Sequence, residues 1–68
     1  MNTSEINAAR SILQTISPNS IWGHSIALAI QEDAKIPRLI SELKSQYNDN
    51  PPIMESIIGA DNCKILFK

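Results

Sequence analysis

With 68 residues, one cysteine, one histidine and a formal charge of −1 from six Lys/Arg against seven Asp/Glu, the chain reads as one small domain, residues 1–68. Its core must offset roughly 1.5 kcal/mol of conformational entropy per ordered residue, which leaves little chain for a deep catalytic cleft. A lone cysteine excludes an intramolecular disulfide and a Cys-rich metal site, so neither cofactor nor metal is expected.

The first helix is expected over about Thr3 to Ile16, with Asn2 as N-cap and Glu5 three residues later as its capping-box partner. Ile6, Ala9, Leu13 and Ile16 fall on one face, with Ile12 at its edge. Ser17-Pro18-Asn19-Ser20 breaks the pattern, and Ser20 is placed to cap the next helix. That second helix, about Ile21 to Glu32, carries Trp22, Ile26, Ala29 and Ile30 on one side and Ile21 and Leu28 on another. Two apolar sides predict a central helix touching more than one neighbour. Gly23 costs such a helix about 1 kcal/mol relative to alanine, which points to a close approach there or to a later helix start.

Asp33, Ala34 and Lys35 make a short turn into the third helix, whose residues Ile36, Leu39, Ile40, Leu43 and Tyr47 recur at i, i+3, i+4, i+7 and i+11. Pro37 is tolerated in its first turn, and Arg38 and Glu42 are spaced to pair on the solvent face. Asn48, Asp49 and Asn50 favour turns and caps, and Pro51 and Pro52 lack a backbone donor, so one helix closes and another starts there. The fourth helix, about Pro51 to Ile58, carries Met54, Ile57 and Ile58 and stops at Gly59. In the tail, Cys63, Ile65 and Phe67 alternate with Lys64, Leu66 and Lys68, which is strand periodicity over a very short window. The expected fold is therefore all-α: a compact bundle of four short helices with an extended apolar C-terminal tail, either a cover over the core or a short strand pairing with another chain.

Residues with reactive chemistry are few. His24 could serve as a general base, but no Ser, Cys or carboxylate stands near it at a diagnostic spacing, and it reads as a polar-face helix residue. Cys63 would need a lowered pKa to act as a nucleophile; it reads as a semi-buried structural thiol. Glu32 and Asp33 are adjacent and so point in different directions, as a helix end and a cap. The residues suited to a partner surface are apolar and aromatic: Trp22, Tyr47, Ile65, Leu66 and Phe67.

Basic residues are scattered, which argues against a nucleic-acid footprint. No run approaches the roughly 18 apolar residues of a bilayer span, and MNTSEINAAR has neither the basic nor the apolar region of a secretion signal. A reducing, cytoplasmic setting is the simplest expectation.

The series Ile36, Leu39, Ile40, Leu43, followed by a polar break containing Asn50-Pro51 and then Ile53, resembles the C-terminal half of prokaryotic effector-associated domains, and the apolar run Ser25 to Ile30 sits where such domains place the preceding helix. Ala34 stands where those domains usually have a turn glycine. The resemblance covers about half of the chain. It implies a small helical adaptor of conflict systems that joins sensors or ATPases to effectors through like-with-like contacts. The expected function is a noncatalytic protein-interaction module, an adaptor or small regulator of a larger partner, which self-associates as a homo-oligomer, a symmetric homodimer being the simplest, or docks that partner through its exposed apolar surface, the tail from Cys63 to Phe67 taking part. The alternative is a helix-turn-helix DNA-binding regulator using the second and third helices. For that role the third helix offers Lys35, Arg38 and Lys44 but also carries Glu42.

Overall fold

The computed structural model describes residues 1–67, and among these the fold is all-helical, with five α-helices and one 3-10 turn. The helices are α1 (Thr3–Leu13), α2 (Gly23–Gln31), α3 (Ile36–Asp49), α4 (Pro51–Ile58) and α5 (Ala60–Leu66), and the 3-10 turn spans Asp33–Lys35. The Cα radius of gyration, 10.8 Å, matches the roughly 11 Å of a compact chain this long.

Local chemistry explains most of the element ends. The capping box forms as expected: Asn2 Oδ1 accepts from the Glu5 N–H at 2.8 Å, and Glu5 Oε1 from the Asn2 N–H at 3.5 Å. Such a cap contributes about 1 kcal/mol. Between α3 and α4 the break is a single residue, Asn50, at φ −149° and ψ 79°. Pro51 drives its predecessor out of the helical region, and Pro51 and Pro52 fall where the first N–H groups of α4 would lack acceptors anyway. Asn48 and Asp49, expected in the break, instead complete the last turn of α3. Gly59 closes α4 at φ +100°, a conformation that only glycine adopts without strain, and Asn62 Nδ2 donates to the Ile58 carbonyl at 3.0 Å.

Two expectations at the second helix change. It begins at Gly23, with Trp22 rather than Ser20 at the cap position and no side-chain cap bond. Ser20 contributes its carbonyl to the Gly23 N–H at 3.0 Å, while its Oγ is buried without a hydrogen-bond partner among the described residues. The central element is α3, which packs on α1, α2, α4 and α5. It buries Ile36, Leu39, Ile40 and Leu43, around which gather Ala9 and Leu13 of α1, Ile26 and Ala29 of α2, Met54 and Ile58 of α4, Cys63 and Phe67. The second apolar side of α2 faces solvent: Ile21 is 84% exposed and Leu28 39%. Leu43 is fully buried at the middle of this core. Its truncation to alanine would cost about 2–5 kcal/mol, against a total stability of about 0.05–0.15 kcal/mol per residue.

The helix count is five, not four, because residues expected as an extended tail form α5. Cys63 and Phe67 are four apart, so a strand pattern and a helix pattern both place them on one side. Ile65 separates the two cases: a strand would turn it the same way, a helix turns it away, and it is 56% exposed while Cys63 and Phe67 are buried. Asp61 in the first turn and Lys64 in the last also suit the helix dipole. Lys68, the last residue of the expected tail, lies outside the described residues.

Candidate functional site

The five residues suited to partner binding are distributed over different elements. Tyr47 on α3 is half-buried, and Phe67 folds back from the end of α5 to meet it, with ring centroids 5.3 Å apart and planes tilted by 35°. That geometry is an ordinary favourable aromatic pair. Its position closes the α3–α5 seam: Phe67 is buried and Leu66 half-buried against the core, which leaves Ile65 as the exposed member of the C-terminal trio. Trp22 sits at the start of α2, half-buried against the core.

The sequence pattern assigns Ile21 and Leu28 to a second buried side of α2 and puts Ile53 on no face; all three lie at the surface, Ile53 at 52% exposure. Two open grooves flank α2. One, about 280 Å³, runs between α2 and α3 over Leu28, Ala29 and Leu39, with Lys35, Arg38 and Glu42 at its rim. The other, about 260 Å³, lies between α1 and α2 and is lined mainly by Leu13, Ile16, Pro18, Ile26 and Ile30. Residues 11–31, which supply the end of α1, the connecting turns and all of α2, contain no Asp, Glu, Lys or Arg. This charge-free run is the legible signal for the surface.

The ionisable groups at and around these grooves are largely paired with one another. Arg10 of α1 pairs with Asp33 of the 3-10 turn, tying the first helix to the α2–α3 connection. Glu32 pairs with Lys35 at 3.4 Å and Arg38 with Glu42 at 3.5 Å. Adjacent Glu32 and Asp33 thus serve separate cations, as their different directions require. These pairs are largely exposed and contribute about 0–1 kcal/mol each. His24 is exposed on α2. Cys63 is buried, and burial, with the nearby Glu55 carboxylate adding to it, pushes its thiol above the ordinary value. A thiol held protonated is a poor nucleophile.

Among the described residues, no group of three or more His, Cys, Asp or Glu is placed to hold a metal ion, and no helix is long and apolar enough to cross a membrane. Comparison of the chain with protein-family models, with curated proteins and with solved structures finds no match.

Proposed function

We propose that the protein is a noncatalytic protein-interaction module, an adaptor or small regulator that works by docking a larger partner. The observation that carries this reading is the apolar surface it retains: Ile21, Leu28, Ile53 and Ile65 are all exposed, although the same helices bury a well-filled core. Exposed large apolar side chains beside open grooves with apolar floors are what docking surfaces supply. The likeness to effector-associated adaptors points the same way. Of the residues suited to partner binding, Ile65 and the flanking Leu66 remain the most accessible contacts at the C-terminal end, with Trp22 contributing at the α2 end. Tyr47 and Phe67 hold that end in shape.

The helix-turn-helix alternative draws less support. A recognition helix needs a free face to enter a groove, and α3 is packed by four other helices, with Arg38 of its N-terminal turn already paired to Glu42.

The test is affinity capture with the intact chain as bait, run in parallel with Ile65→Glu and identified by mass spectrometry. A specific protein retained by the parent and lost with Ile65→Glu, at unchanged helicity, is the expected result. Recovery of no specific protein, together with salt-dependent affinity for duplex DNA, would replace this reading with the alternative.

A further inference from the structure

The helices are not joined alike. Single residues, Asn50 and Gly59, separate α3 from α4 and α4 from α5, and Glu32 with the 3-10 turn connects α2 to α3, whereas nine residues, 14–22, lie between α1 and α2. We infer that α1 is a hinged cover, which opens from α2 and α3 as a unit about the Ile16–Ser17 junction while α2–α5 stay packed.

Hydrogen bonding locates the hinge. The Thr15 and Ile16 N–H groups donate back to the Ile12 and Leu13 carbonyls at 3.1 and 3.2 Å, so these residues travel with α1. The Ser20 N–H donates to the Ser17 carbonyl at 3.1 Å and the Gly23 N–H to the Ser20 carbonyl at 3.0 Å, so the turn belongs with α2. None of these bonds crosses from residue 16 to residue 17. Pro18 also keeps Ser17 out of the helical region, so α1 cannot continue through the junction.

The core sets what each side of the hinge can hold. Among the described residues, ten of the twelve buried core side chains lie at residues 26–67. α1 supplies the other two, Ala9 and Leu13, with Ile6, Ile12 and Ile16 half-buried at its margin. An alanine buries little apolar area, which makes Leu13 the principal anchor. The ion pair from Arg10 to Asp33 adds little resistance, since the Asp33 side chain is 64% exposed and its charge is readily rehydrated. The opposite end of the molecule is better fastened, by Phe67 on Tyr47. Once undocked, an eleven-residue helix is too short to persist in water, so α1 melts in one step. Opening bares the apolar sides of α2 and α3 on which α1 packs.

Residue-resolved hydrogen exchange of the full chain, under conditions where reclosing outpaces exchange, tests the hinge. Amides of residues 9–13 should share one protection factor, at least about tenfold below that of the slowest α3 amides, and should respond less steeply to low urea. Ile58→Val is the discriminating variant. Ile58 is buried on α4, which packs on α3 and α5, and losing one methylene there should accelerate α3 exchange about two- to tenfold while leaving residues 9–13 at the parent's rate. The two segments differ because α4 is packed alike before and after α1 opens. Residues 9–13 as protected as α3, a gradient of protection falling toward either end of α1, or equal acceleration of both segments in Ile58→Val would each overturn the inference. Exchange is read on the chain alone, so the result is independent of the capture experiment and of the function it tests.

Discussion

Replacing Gly23 by alanine sets two effects of opposite sign against each other. Helix propensity favours alanine by up to about 1 kcal/mol, less at a first helical position. Packing opposes it: a Cβ at residue 23 would lie 2.1 Å from the Pro18 carbonyl oxygen and 2.8 Å from its carbon. Both are backbone atoms, so no side-chain rotation relieves the clash. The Ser17–Ser20 turn would have to move as a body, and it is held by the Ser20 N–H to the Ser17 carbonyl at 3.1 Å and the Asn19 N–H to Ser17 Oγ at 3.3 Å. Forced overpacking of this kind costs about 1–3 kcal/mol, so packing wins and Gly23→Ala is destabilising by about 1–2 kcal/mol net. For a domain of this size, 1 kcal/mol moves the melting temperature by about 4–8 °C. Thermal unfolding followed by far-UV circular dichroism should place the variant roughly 4–16 °C below the parent, on the same scaling. An equal or higher melting temperature would show that the Pro18 approach yields freely and that propensity decides the position.

Two further outcomes test the C-terminal half. In a double-mutant cycle of Tyr47→Ala and Phe67→Ala, read by urea unfolding, the two changes should couple by about 0.5–1.5 kcal/mol, the value of an aromatic pair beyond simple burial; additive losses would mean that Phe67 does not rest on Tyr47 in solution. Cys63 gives a pH dependence. Its folded thiol ionises above the ordinary 9.0 because of burial and then Glu55, so beyond pH 9.0 the unfolded chain releases this proton first and binds fewer protons than the folded one. Stability conferred by the protonated thiol is complete below that pH and falls as pH rises toward the folded value. Cys63→Ala should show a shallower decline over the same window, and parallel slopes for parent and variant would refute the assignment.

Signals confined to a few neighbouring residues are legible in the amino-acid sequence alone. The Asn2–Glu5 box, the Asp33–Lys35 turn, the start of α4 at Pro51 and the stop at Gly59 each depend on backbone donors, ring constraints or a positive φ within one helical turn, and all appear where the local pattern puts them. The stripe of α3 is equally plain, because a 3.6-residue period needs no knowledge of what covers it. Which faces are covered, and by what, depends on the tertiary structure. Ile21 and Leu28 look as buriable as Ile26 and Ala29 in the sequence, yet α1 and α3 pack on the latter pair's side and leave the former in solvent. Cys63 and Phe67 fit a strand or a helix equally well. The helix is realised where Phe67 can reach Tyr47 and where Gly59 can turn the chain back onto α3. The five aromatic and apolar residues suited to partner binding divide for the same reason: Phe67 serves the core, Trp22, Tyr47 and Leu66 lie half-buried at its margin, and Ile65 faces outward. Their hydrophobicity is a property of the residues, whereas their exposure is set by the arrangement of the helices around α3.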